Sequence, residues 1–153
     1  MPTITIQPGP LPAVFIPASL EPLPFSRPFA LCRVAAGFPS PAQEYLDHAL
    51  DLNEYLVRNK TATFFFRVAG QSMRDENIND GDTLVVDRSI TPKHGHIVVA
   101  SVNGDFTVKK LYRRAGVVEL RPANPAFQPI CFGDGEEMLV WGVVTSVIHT
   151  FNA

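Results

Sequence analysis

Two residue types in this chain could do covalent chemistry together. Ser72 lies in Ala69-Gly70-Gln71-Ser72-Met73, directly after an apolar, β-forming run, Thr63-Phe64-Phe65-Phe66-Arg67-Val68. Gly70 allows a sharp turn at the end of that run and a close approach of another backbone. A serine on such a turn can face a carbonyl carbon, and the N–H groups of Gln71, Ser72 and Met73 can receive the negative charge that develops on the carbonyl oxygen. A serine nucleophile needs a base. Four histidines are present, His48, His94, His96 and His149, with no spacing that favours a triad. A buried lysine is the alternative, because loss of water disfavours its ammonium and frees a lone pair near neutral pH. Phe106-Thr107-Val108-Lys109-Lys110-Leu111 sets two lysines among strand-forming residues. Their side chains point to opposite faces, so only one can enter a site, and periodicity alone does not choose between them.

Other chemistries are poorly supplied. His94-Gly95-His96 would put two imidazoles on one face of a strand, but no third ligand of fitting spacing accompanies them, so no metal and no cofactor are expected. Cys32 and Cys131 are far apart and read as two free thiols of a cytoplasmic protein. Net charge is −2, which gives no basic excess for direct nucleic-acid binding. No apolar run approaches the roughly 18 residues that cross a membrane, and no secretory signal is visible.

The elements that must position these residues are mostly strands. From residue 63 onward, strands are expected over 63–68, 83–87, 96–102, 105–112, 117–121 and 138–151, divided by Asn79-Asp80-Gly81, Asn103-Gly104 and Ala115-Gly116. Asn103-Gly104 marks a two-residue hairpin. Short peripheral helices are expected from Ser40-Pro41, with Ser40 as N-cap, and after Asp51, ahead of Leu52, Tyr55 and Leu56. Eight of the 14 prolines fall within residues 1–36, among apolar residues such as Ile4, Ile6, Val14 and Phe15. Neither a helix nor a central strand persists through such a segment, which reads as an extended arm docked by its apolar side chains. The expectation is a mainly β protein: a folded-over or barrel-like sheet, short peripheral helices and an extended proline-rich N-terminal arm.

Several segments taken together resemble the self-cleaving Ser-Lys proteases of the bacterial SOS response, and within them the UmuD subfamily. They are Gly37-Phe38-Pro39-Ser40-Pro41-Ala42, Asp51-Leu52-Asn53, Gly70-Gln71-Ser72-Met73, Asp80-Gly81-Asp82, Val85-Val86-Asp87, His94-Gly95 and Phe106-Thr107-Val108-Lys109-Lys110-Leu111, in the family's order over about residues 35–150. Arg33-Val34-Ala35-Ala36-Gly37 also looks like the cleavage segment of LexA repressors. His96 stands where an acidic residue is common, and the arm is longer than usual for the subfamily.

The resemblance implies Ser72 as nucleophile, Lys109 as base, and a cut between Ala36 and Gly37 that separates an arm, 1–36, from a peptidase and polymerase-accessory domain, 37–153. It implies stimulation by a RecA filament on single-stranded DNA. The product would be a homodimer that partners a UmuC-like catalytic subunit of an error-prone translesion polymerase, so that contact with DNA is mostly indirect. Before the scissile loop docks, Lys109 is expected to be wet and protonated. LexA and phage repressors share the catalytic domain but carry a helix-turn-helix, which 36 proline-rich residues cannot build. Signal peptidases share the Ser-Lys logic but use a membrane anchor that this sequence lacks.

Overall fold

The computed structural model describes residues 3–6, 16–17, 26–30, 36–38 and 46–152, apart from 134. Its strands are β1 (Thr3–Ile6), β2 (Ile16–Pro17), β3 (Ser26–Ala30), β4 (Leu46–Asp51), β5 (Thr63–Arg67), β6 (Thr83–Asp87), β7 (Ile97–Val102), β8 (Asp105–Arg114), β9 (Val117–Arg121), β10 (Ile130–Cys131) and β11 (Glu137–Ile148). Nine form one sheet in the order β10-β9-β8-β7-β11-β6-β5-β2, with β1 added to β11; β3 and β4 pair separately. All pairings are antiparallel except that of β1 with β11. The molecule is therefore mainly β, as its turn-punctuated apolar runs require. Three strands drawn from the proline-rich arm stay at the margins: β1 and β2 border the main sheet, and β3 belongs to the small one.

Among the described residues, helix is confined to short pieces. Helix α1 (Leu52–Leu56) starts where Asp51 accepts the N–H of Asn53 at 2.8 Å, the cap that the sequence anticipates. A single 3₁₀ turn covers Arg74–Glu76. The helix expected from Ser40 lies outside the described residues, as does Cys32, whereas Cys131 is a free, exposed thiol. Residues 46–51 are a strand, which the sequence reading did not anticipate.

Alternation along the strands divides the core between the two faces of the sheet. Val99 and Val108 turn to a cluster with Phe64, Met73, Ile78, Leu84, Val86 and Trp141, while Val98 and Leu111 on the same two strands turn to one with Ala100, Val118, Leu120, Met138, Val140 and Val143. Both two-residue hairpins have positive φ at both central positions: 51° and 87° for Asn103 and Gly104, 50° and 78° for Ala115 and Gly116. That is the turn whose twist matches the flanking strands.

Strand β11 runs through the middle of the sheet and carries two irregularities. Val140 faces Ala100 but Gly142 faces Val99, so Trp141 is an extra residue; further on, Val144 faces Val86 but Ser146 faces Val85, so Thr145 is another. The extra Trp141 places it and Gly142 on the same side in succession. Only glycine fits the second place: a Cβ there would lie 2.6 Å from Cγ1 of the fully buried Val86. Gly142→Ala should therefore destabilise the fold by about 1–3 kcal/mol through overpacking, read as a lower urea midpoint with an unchanged slope.

Candidate active site

The turn after β5 is held rigidly on both flanks. Gly70, at φ 93°, donates its N–H to Asp80 Oδ1 at 2.7 Å. Val68 exchanges backbone hydrogen bonds with the opposing loop, its N–H to Asp82 O at 2.8 Å and its carbonyl accepting Gly81 N–H at 2.9 Å. Asp82 is 2% exposed; burial alone would raise its pKa, but the N–H of Asn79 and the ring of His149 stabilise the carboxylate and hold it below the usual range. On the other flank, Ala123 N–H donates to Ser72 O at 2.8 Å, and the amide of the buried Asn124 donates to Gln71 O at 2.9 Å. The side chain of Met73 is driven into the core at 1% exposure. These constraints fix Ser72 in a half-buried position in the lining of a cleft of about 180 Å³, with Phe66, Leu84, Val99, Phe106 and Thr107 among others.

Across this turn, β8 delivers one of its two lysines. Lys109 is 8% exposed, and its Nζ lies 2.9 Å from Ser72 Oγ, 2.8 Å from Thr107 Oγ1 and 3.1 Å from the Val108 carbonyl. Among the described residues no carboxylate pairs with it, and burial pushes its pKa below that of a free lysine. Nζ stands as donor to all three oxygens; in the neutral amine two N–H groups would stay on Thr107 and Val108, and the lone pair would accept the serine O–H. Lys110 points the other way and forms an ion pair with Glu76 at 2.5 Å.

The three backbone N–H groups expected to hold an oxyanion are uncommitted: among the described residues nothing accepts a hydrogen bond from Gln71, Ser72 or Met73 N–H. This arrangement can lower the barrier to serine attack on a carbonyl, with lysine taking and returning the proton. Ala36 and Gly37 are not in the cleft. With Phe38 they are exposed, on the connection between β3 and β4; none of the three lines the cleft, and a Cβ on Gly37 would meet nothing within 4 Å. Lys109 is nonetheless buried, which corrects the expectation of a wet amine before docking. Its described hydrogen-bond contacts come from β8 and the serine turn. Thr107 and Asn124 are absent from the sequence-based site. A two-residue spacing from Lys109 on one strand was the available signal for Thr107; nothing local marked Asn124. His94 and His96 do not share a strand face: Gly95 turns the chain at φ 86°, and each Nδ1 accepts a backbone N–H, from Arg113 and from Lys93.

Residues 28–145 match the family model described as Peptidase S24-like. The chain belongs to that family. Within it the chain is UmuD-like. It is 52% identical over 122 residues to protein MucA of Salmonella typhimurium, covering 78% of this chain and 82% of MucA. Protein ImpA of Salmonella typhimurium is 44% identical over 131 residues, covering 82% of this chain and 85% of ImpA. Protein SamA of Salmonella typhimurium strain LT2 is 43% identical over 129 residues, covering 84% and 89%. S24-like membership fits a serine peptidase that acts on its own chain. Among the described residues of this S24-like protein, no helix is long and apolar enough to cross a membrane.

The buried amine carries a pH-dependent cost. The pKa of Lys109 is below its ordinary 10.5 in the fold and returns there on unfolding, so between the two values the unfolded chain binds more protons and stability rises with pH. In a Ser72→Ala background, which keeps the chain whole, Lys109→Met should be more stable than Lys109 at about pH 6, where burying a charge costs most. The gap in urea midpoints should shrink as pH approaches 10.5. A gap that widens with pH would mean that the amine is stabilised as an ammonium.

Proposed function

We propose that this protein is a UmuD-type SOS mutagenesis factor that cuts its own chain between Ala36 and Gly37, with Ser72 as nucleophile and Lys109 as base. The observation that carries this reading is the 2.9 Å contact of a buried, carboxylate-free lysine amine with a serine hydroxyl. Lys109 removes the Ser72 proton as Oγ attacks the carbonyl carbon of Ala36. The N–H groups of Gln71, Ser72 and Met73 take up the oxyanion, and the lysine then protonates the departing amine of Gly37. Water releases the acyl group from Ser72 in the reverse sense.

The exposed position of residues 36–38 supports a substrate loop that must move to reach the cleft. The small side chains of Ala36 and Gly37 suit a close passage beside the serine. RecA on single-stranded DNA, on this reading, favours the docked loop. Because Lys109 is already dry, the filament acts mainly on delivery of the bond and little on deprotonation. The product, 37–153, forms a homodimer and serves with a UmuC-like subunit as an accessory of error-prone translesion synthesis, so its contact with DNA is mostly indirect. No cofactor enters the mechanism.

Incubation of the purified chain with and without RecA, a nucleotide analogue and single-stranded DNA, followed by intact mass, tests the proposal. A fragment beginning at Gly37 is the expected product. Ser72→Ala and Lys109→Ala should give none, Lys110→Ala should still cut, and Gly37→Glu should block cutting with an unchanged circular dichroism spectrum. Detection of the same fragment from Ser72→Ala would reject the dyad.

The rate has its own signature. Self-cleavage without filament should rise about tenfold per pH unit until it levels at the lysine pKa. The filament should lift the whole curve while moving its midpoint little. A rate that peaks near about pH 6.5 would instead identify a histidine base.

A further inference from the structure

Strand β1 occupies a place in the sheet that no other described strand fills. β11 pairs with β7 along one side over 139–143 and with β6 along the other over 143–148. Its first residues therefore extend beyond the reach of β6. β1 covers that stretch in parallel, from Thr3 opposite Glu137 to Ile6 opposite Val140. Ile4 is half-buried there and packs against the cluster that contains the fully buried Met138 and Val140.

We infer that residues 3–6 are a removable cover on a strand-accepting edge, and that cutting between Ala36 and Gly37 opens residues 137–140 to an extended, apolar segment of a partner protein. This inference rests on the proposed self-cleavage. In the intact chain β1 is tethered, at an effective concentration on the order of millimolar. The cut removes the tether. Among the described residues, β2 holds the arm by two paired residues, and β3 pairs with β4 across the connection that is severed. An isolated two-stranded pairing is marginal even when its loop is whole. At micromolar protein the effective concentration of β1 falls about a thousandfold, and the strand leaves.

What remains is a row of unpaired backbone N–H and C=O groups beside the apolar seat of Ile4, the two features that β-strand addition uses. The cover itself shows what fits. Thr3-Ile4-Thr5-Ile6 is uncharged and β-branched throughout and runs parallel to β11, with its first residue opposite Glu137. The partner segment accordingly carries alternating β-branched residues, with an uncharged or basic residue across from Glu137.

Hydrogen exchange followed by NMR on the full chain tests this. The amides in 137–140 that are not bonded to β7 should exchange at least about tenfold faster after complete self-cleavage than in uncut Ser72→Ala protein. A peptide of residues 1–12, added in trans, should slow them again, and the same peptide bearing Ile4→Asp should not. In uncut protein Thr5→Pro, which removes a donor from β1, should speed the same amides without affecting the β6–β11 pairing. Unchanged exchange in both the cut protein and Thr5→Pro would overturn the cover, and self-association of the cut protein that protects these amides would overturn the partner assignment in favour of a second copy. If intact mass shows no cut at residue 36, the self-cleavage reading fails, while Thr5→Pro still decides whether β1 covers the edge.

Discussion

The structure depends on keeping one amine dry without giving it a countercharge. Lys109 is surrounded by a hydroxyl, a carbonyl and another hydroxyl, all neutral. A carboxylate at the same distance would hold the proton on the lysine and leave no lone pair for Ser72. The neighbouring Lys110 shows the contrast on the same strand. It meets Glu76, stays half-exposed and has the surroundings of an ordinary surface cation. One residue of register on β8 thus separates a buried, carboxylate-free amine from a salt-bridge partner, and the pairing of β8 with β7 and β9 along most of its length resists a slip.

Much of the remaining framework serves to hold the serine turn against that strand. The acidic residues of Asp80-Gly81-Asp82 divide the task, Asp80 anchoring Gly70 from one loop and Asp82 capping that loop internally. From the far side, Ala123 and Asn124 fix the carbonyls of Ser72 and Gln71. With its carbonyls engaged and Met73 pinned in the core, the turn leaves its N–H groups without an acceptor among the described residues. The chain spends polar side chains to fix the backbone so that the backbone itself remains available.

The β framework was legible in the sequence because its strands are short apolar runs separated by turn residues, and six of them fall within a few residues of their expected positions. The serine turn and the lysine strand could be found for the same reason, though periodicity left Lys109 and Lys110 equivalent until a family pattern separated them. Contacts between distant segments were not legible. Asn124 acts on Gln71 across 53 positions, and the extra residues Trp141 and Thr145 interrupt what reads as one unbroken strand. β4 was missed because its partner is a proline-containing stretch of the arm, and its pairing is decided by that contact more than by its own residues. The burial of Lys109 was misjudged because the reading made it depend on docking of a loop, whereas Lys109 is buried while residues 36–38 stand exposed outside the cleft.

The bulge in β11 carries a further consequence. Trp141 is the only tryptophan of the chain. Its ring centroid lies 5.0 Å from that of Phe66 and 6.5 Å from that of Phe106, two residues that line the cleft, and the Arg88 guanidinium sits 4.3 Å from it on another side. The indole is thus a native optical probe of the cleft. Any segment that displaces Phe106 or excludes water beside Phe66 changes the polarity around a single emitter, and its spectrum and quenching report occupancy of the cleft with no added label.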